Sequence, residues 1–335
     1  MNYEILIAII IFVVAFFVGL LLTKLWISVA RKNKLQGKDM NKWQGTMVAE
    51  SGGVAVVVSI MISVMLYVFF KTFVLNSLTH LTEILVLTIT LLLACFIGFV
   101  DDILGWKKGI KGWQKLLLTL PMAIPLMVIN AGQHIMQVPF LGAVDFGMIY
   151  PLIIVPLGVI GATNGTNLLA GYNGLEAGLG SIVVASLGLI ALANRQLWLA
   201  MIAGIIIMIL LAFLVFNKFP AKIFPGDSLT YSLGALVACF AILGNMEKAA
   251  FLLFIPFIIE GILKARSKFK AENFGKVNKD NSLEAPYKQT YSLTHIVLRI
   301  LKKIKLSHKV YEQDVTASLI ILEVVIAILV LIYVL

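Results

Sequence analysis

Long apolar runs separated by short polar stretches repeat along the whole chain. A helix needs about 20 consecutive apolar residues to cross a bilayer core. Ten runs approach that length: roughly 3–30, 47–70, 81–100, 113–130, 148–163, 175–193, 196–217, 228–244, 247–264 and 315–335. Pro121 and Pro125 fall in the fourth run, Pro151 and Pro156 in the fifth. Proline removes a helix hydrogen bond, so these two are expected to be kinked or partly re-entrant. The pattern predicts an all-α polytopic membrane protein with about ten transmembrane helices, residues 1–335 forming one integral domain. The first run has no basic segment and no small-residue cleavage site before Lys24, and reads as a span rather than a cleaved signal.

Composition agrees, with 60% of the 335 residues hydrophobic and only 13% charged. That leaves too little polar surface for a soluble domain of this size. The net charge of +10 matters through its placement, since 22 of the 27 Lys and Arg lie in one set of alternate loops, 31–46, 101–115, 164–174, 218–227 and 265–314. The positive-inside rule puts these loops in the cytoplasm and both termini outside. The basic charge then reads as topology and attraction to anionic lipid, with no nucleic-acid partner. The basic segment 265–314, between the last two spans, is expected to form a cytoplasmic amphipathic arm, with Ile296, Leu298, Ile300, Leu301, Ile304 and Leu306 among lysines. Cys95 and Cys239 sit inside separate apolar runs and read as small buried hydrophobes.

Against this background a few polar residues stand out, because ionisable groups at membrane depth are costly and point to function. Asp101 and Asp102 end the third run, with Lys115 among the four lysines that follow. Glu50 and Ser51 open the second. Asn164, Asn167, Asn173 and Glu176 lie between the fifth and sixth, and Asp227 opens the eighth. All fall at cytoplasmic ends, so they can converge on one site facing the cytoplasm. Carboxylates, amides and glycines beside lysines suit phosphoryl transfer, in which Mg²⁺ takes oxygen ligands and phosphates complete its shell. Glycines leading into helix starts at 174–178 and 226–228 offer further N–H donors for anions.

These residues resemble the polyprenyl-phosphate N-acetylhexosamine-1-phosphate transferase superfamily, most nearly its eukaryotic and archaeal branch that makes dolichyl-diphosphate N-acetylglucosamine. The resemblance rests on GKDMNK (37–42), VAESGGV (48–54), GFVDDILG (98–105), QKLLL (114–118), NGTNLLAGYNGLEAG (164–178) and FPGDSLTYSLGA (224–235), in that order. It implies that Asn167 and Asp227 ligate Mg²⁺, with Mn²⁺ an alternative, and that Asp101 and Asp102 form an acidic pair near the reacting phosphates. It implies further that Lys115 contacts phosphate and that Asn173 and the Gly171 backbone hold uracil. The region of Lys38, Met40 and Glu50 would close over the nucleoside. The implied partners are UDP-N-acetylglucosamine and a dolichyl or polyprenyl phosphate in an archaeal plasma membrane, with a homodimer left open. One departure is the missing H-x-P-R motif in the last cytoplasmic loop; Arg266, Lys268, Lys270, Lys288, His295 and Arg299 are the candidates to replace it.

The expected reaction is direct attack of a lipid phosphate on the β-phosphorus of the sugar nucleotide, with the acidic pair organising cations rather than forming a phospho-aspartyl intermediate. The rival readings are a bacterial-type undecaprenyl-phosphate transferase using another UDP-sugar and a cation-coupled transporter. A CDP-alcohol phosphotransferase is disfavoured, because the chain contains no Asp-Gly dipeptide. Glu260, inside a late run, reads first as the buried partner of a basic residue.

Overall fold

Among the described residues, eight of the apolar runs form helices long and apolar enough to cross a membrane. The computed structural model describes residues 2–104, 112–138 and 142–335; Lys107, Lys108 and Lys111, three of the lysines after Asp102, lie outside the described residues. In chain order the helices begin with α1 (Asn2–Lys32), α2 (Gly53–Phe73) and α3 (Leu81–Leu104). The run at 113–130 is divided into α4 (Gly112–Thr119), a 3-10 turn at Leu120–Ala123, and α5 (Ile124–Val128). Pro121 and Pro125 each sit in the first turn of a new piece, where the missing N–H is tolerated.

A π-helical turn at Tyr150–Ile154 leads into α6 (Val155–Leu168), and together they reach spanning length. Then come α7 (Leu175–Ala193), α8 (Leu197–Asn217) and α9 (Gly226–Gly244). The run at 247–264 breaks at Phe254 into α10 (Glu247–Leu253) and α11 (Ile255–Ala265), with Pro256 opening the second piece. The chain continues through α12 (Leu293–Ile304) to α13 (Glu312–Val334). Neither divided run contains a single helix of spanning length; the break in the first matches its expected kink, whereas the break in the second, at 247–264, departs from the expected span. The hydropathy pattern also gave no sign of three two-stranded antiparallel sheets: β1 (Gln36–Lys38) with β2 (Met47–Ala49), β3 (Ile135–Val138) with β4 (Gly142–Asp145), and β5 (Lys276–Val277) with β6 (Leu283–Glu284).

Helix α9 is the most enclosed of the spanning helices. Its first turn packs against the last turn of α3 with backbone meeting backbone: a Cβ on Gly98 would lie 2.3 Å from Asp227 O. Gly226, which starts α9, has φ +69°, a left-handed conformation that side chains disfavour, and a Cβ there would sit 2.4 Å from Asp102 Oδ2. These two glycines let the acidic end of α3 reach the start of α9. Both cysteines are free and buried, as their apolar surroundings suggest.

The segment after α11 folds back on the bundle. Glu260 is fully buried; its Oε2 accepts from Ser292 Oγ (3.1 Å) and Leu293 N (2.7 Å), and its Oε1 lies 4.0 Å from Lys264 Nζ. The structural reading of Glu260 holds. α12 is amphipathic, burying Leu293, His295 and Leu298 while Ile300 and Ile304 stay exposed.

Candidate functional site

The polar residues singled out in the sequence meet at one end of the bundle, in two connected groups. In the first, Asp227 is the hub. Its Oδ1 accepts from Asn167 Nδ2 at 2.6 Å, and its Oδ2 accepts from Lys115 Nζ at 3.1 Å. The same ammonium is ion-paired with Asp101, and the Tyr231 hydroxyl lies 3.5 Å from the Asp101 carboxylate. Thr230 Oγ1 receives a second bond from Asn167 Nδ2 at 3.0 Å. Four separate elements, α3, α4, α6 and α9, therefore converge on two carboxylates, one amide and one ammonium. The side chains of Lys115 and Asp227 keep 26% and 29% of their surface exposed, whereas Asp101 keeps 4%. The hub is open to a ligand and its anchor is closed.

Asp102 does something different from its neighbour. Its carboxylate accepts from the backbone N–H of Asp227 (2.6 Å) and Ser228 (3.3 Å), so a side chain from α3 caps α9. A helix start leaves its first N–H groups without internal partners and favours negative charge. The expectation that the N–H groups at 226–228 face a substrate anion is thereby corrected for two of them: the close approach at Gly98 and Gly226 gives those of Asp227 and Ser228 to Asp102.

The second group surrounds the link from α6 to α7. Asn173 N donates to Glu312 Oε1 at 2.8 Å, and Asn173 Nδ2 donates to Asp39 Oδ2 (3.3 Å) and Glu312 Oε2 (3.4 Å). Asn41 Nδ2 bridges Gly171 O (3.0 Å) and Glu312 Oε1 (3.3 Å). Lys42 is ion-paired with Glu312 and lies 3.7 Å from Asp39. From the other side Glu176 Oε1 accepts from Gly171 N at 2.7 Å, and Asn273 Nδ2 holds Leu168 O and Ala170 O at 2.6 and 2.8 Å. The Gly171 N–H is thus already committed within the protein.

Sequence reasoning did not single out Asp39, Asn41, Lys42, Asn273 or Glu312. The first three lie within the GKDMNK stretch, and the signal was there in their alternation of acid, amide and lysine. Glu312 gave none, because an acid in the first turn of a helix is expected from the helix dipole alone.

The other expected residues divide. Glu50 is half-buried beside the hub; burial, with the Asp227 charge added, raises its carboxyl above the usual glutamate range. Ser51 is fully buried with a left-handed backbone (φ +56°). Asn164 donates to Thr119 Oγ1 (3.2 Å) and Ile160 O (2.9 Å), fastening α6 to the end of α4 rather than reaching the carboxylates. Lys38 is exposed at the end of β1 and Met40 is half-buried beyond it. Arg266 and Lys268 are exposed on the turn after α11. Arg299 grips the carbonyls of Tyr287 and Lys288, at 2.6 and 2.7 Å. His295 is fully buried, and burial pulls its imidazole down to about 4, so it is neutral at pH 7. Neither Arg299 nor His295 is an uncommitted cation.

Among the described residues, no group of three or more His, Cys, Asp or Glu side chains is arranged to hold a metal ion. A hard cation that keeps several waters needs fewer protein ligands when substrate phosphates complete its shell. Asp227 is a partly exposed carboxylate, and a half-turn of the Asn167 amide would present oxygen in place of nitrogen. The donor set fits Mg²⁺.

Fold and site together define a polytopic membrane protein with an acid–amide–ammonium site at one end of its helix bundle. Residues 84–245 match the profile described as glycosyl transferase family 4. A Saccharolobus solfataricus protein is 34% identical over 86% of each chain, and a Sulfolobus acidocaldarius protein is 36% identical over 87% of each; both carry provisionally the name UDP-N-acetylglucosamine–dolichyl-phosphate N-acetylglucosaminephosphotransferase. The Dictyostelium discoideum protein of that name is 30% identical over 73% of this chain and 69% of its own. The chain belongs to the polyprenyl-phosphate N-acetylhexosamine-1-phosphate transferase superfamily.

Proposed function

We propose that this protein transfers N-acetylglucosamine-1-phosphate from UDP-N-acetylglucosamine to a dolichyl-type polyprenyl phosphate, giving lipid-diphosphate-N-acetylglucosamine and UMP, as a first membrane step of lipid-linked glycan assembly. The observation that carries the reading is Asp227, a partly exposed carboxylate shared by Asn167 and Lys115, with Lys115 backed by buried Asp101. The relatives' names support the donor and acceptor.

In this reaction an oxygen of the lipid phosphate forms a bond to the β-phosphorus, while the bond from that phosphorus to the α,β-bridging oxygen breaks and its electron pair leaves with UMP. A phosphate monoester has a second pKa near 6, so the attacking group is already largely dianionic at pH 7 and needs no strong base. The task is to offset the repulsion between two polyanions. Lys115 supplies one positive charge, and Asp101 fixes its position. Asp102 keeps the start of α9, and so Asp227, in place. Mg²⁺, held by Asp227 and Asn167, would add the charge that lets phosphate oxygens approach one another. Asn173 and its neighbours hold the nucleoside.

We propose further that ten segments cross the bilayer, the two divided runs included, with both termini outside and the site facing the cytoplasm of an archaeal plasma membrane; the loop-charge asymmetry supports this. The test is purified protein supplied with dolichyl phosphate, Mg²⁺ and a panel of UDP-sugars, with lipid product and released nucleotide measured. Lipid-diphosphate-N-acetylglucosamine together with UMP is the expected outcome. Absence of any sugar-phosphate transfer would sink the reading.

A further inference from the structure

Two successive residues in the turn after α11 have left-handed backbones, Lys268 (φ +53°) and Phe269 (φ +59°). An aromatic residue rarely adopts that conformation, and strain of this kind points to a use. The turn is held by bonds from Lys268 N to Ala265 O (2.8 Å) and from Phe269 N to Lys264 O (2.9 Å), while Lys264 Nζ donates to Ala271 O at 2.6 Å. The result is a phenyl ring 61% exposed between two exposed lysines, Lys268 and Lys270. α11 shows which way the turn faces. Its exposed residues Ile259 and Ile262 lie on one helical stripe that Arg266 continues, at spacings of three and four. In a chain that spans the bilayer such a stripe faces lipid, so Arg266 stands where the hydrocarbon ends. Lys302, Lys305 and Lys309 in the same arm are paired with Glu284, Asp314 and Asp280, at 2.7, 2.6 and 2.7 Å; among the described residues Arg266, Lys268 and Lys270 form no ion pair.

We propose that the turn at 266–270 is a docking surface for anionic phospholipid headgroups of the cytoplasmic leaflet, with Arg266, Lys268 and Lys270 on lipid phosphate and the Phe269 ring among the carbons beneath. Cations around an aromatic ring combine the two affinities a bilayer surface rewards, charge for its headgroups and apolar area for its interior. The surface is tied to the site. Asn273, three residues beyond Lys270, donates through Nδ2 to Leu168 O (2.6 Å) and Ala170 O (2.8 Å), directly after Asn167 at the end of α6. Its own carbonyl accepts from Thr294 Oγ1 (2.8 Å) and Tyr172 OH (3.2 Å), so this strut is braced from α12 and from the α6–α7 link. Lipid that steadies the turn thereby steadies the end of α6 that carries Asn167, and anionic lipid acts as an activator. The inference rests on the proposed topology and transfer activity, and adds a lipid that is neither donor nor acceptor.

The experiment places the full chain in nanodiscs of phosphatidylcholine alone or mixed with phosphatidylglycerol. Two quantities are read: UMP release, and the tryptophan emission added by Phe269→Trp, quenched by bromine-labelled forms of either lipid. Phosphatidylglycerol should raise kcat/KM about fivefold in the wild type, the worth of one cation at an anionic surface. The labelled phosphatidylglycerol should also quench the added emission more than labelled phosphatidylcholine does. Arg266→Gln, Lys268→Gln and Lys270→Gln combined should abolish both preferences, with the rate in phosphatidylcholine alone close to wild type. Equal quenching by the two lipids, or undiminished stimulation in the combined variant, would overturn the proposal. So would a combined variant whose donor KM rises in both lipids, since the cations would then belong to the donor pyrophosphate. A wild type that transfers sugar phosphate in neither lipid would instead overturn the function on which the activation rests, and the quenching would still decide the lipid contact.

Discussion

The two halves of the site are built on opposite plans. Around Asp227 the groups that would meet phosphate are partly open, few in number and held by side-chain contacts that a ligand can rearrange. Around Asn173 the groups are sealed, and they grip backbone as well as side chain. A group that is to meet a charged ligand has to be reachable, whereas the enclosed groups around Asn173 hold one another and the backbone in place. The difference also separates adjacent residues. Asp101 belongs to the open half through Lys115, while Asp102 is spent on the start of α9.

The sharpest way to break that contrast is to neutralise the open half. Asp227→Asn and Asp101→Asn should each lower kcat about 10²- to 10³-fold, the usual cost of one charge-stabilising group, with little change in melting temperature. Equal activity in wild type and both variants would end the assignment. Asp102→Ala should behave the other way round. It strips the acceptor from two N–H groups at a buried helix start, a loss of about 1–3 kcal/mol that a thermal melt in detergent would show, with activity falling as a consequence.

Gly98→Ala probes the same joint without removing any charge. Its Cβ would be driven into Asp227 O at 2.3 Å, where both neighbours are backbone, so a destabilisation of about 1–3 kcal/mol and displacement of Asp227 are expected. Stability and turnover should fall together. The smallest effect belongs to the folded-back arm. Burial lowers His295 from 6.5 to about 4, so the unfolded chain binds a proton there at a higher pH than the folded one. The stability this brings is full above pH 6.5 and is lost as pH falls towards 4. A melt-versus-pH profile should therefore be flatter across that window in His295→Gln than in wild type.

Much of this was legible beforehand, because hydropathy, loop charge and local motifs are properties of neighbouring residues. Eight of the ten expected spans, the meeting of Asp101, Lys115, Asn167 and Asp227, and the structural part played by Glu260 all follow from such local signals. What escaped depends on distant pairs. Nothing near Asp102 shows that its partners are N–H groups 125 and 126 positions later. The prolines at 121 and 125 marked a weak span, but which piece each would start is settled by packing. Glu312 was invisible for the same reason, since its meaning lies wholly in Asn41, Lys42 and Asn173.

The long reach of Glu312 bears on how the molecule comes into being. A chain enters the membrane in order from its amino end, so the hairpin with Asn41 and the link with Asn173 are in place well before α13 is made. Until that helix docks, Asn173 N lacks the carboxylate it donates to, and Lys42 has only that of Asp39. A chain stalled between residues 245 and 311 would already carry Asp101, Lys115 and Asp227, yet it would lack the carboxylate that holds Asn173 N.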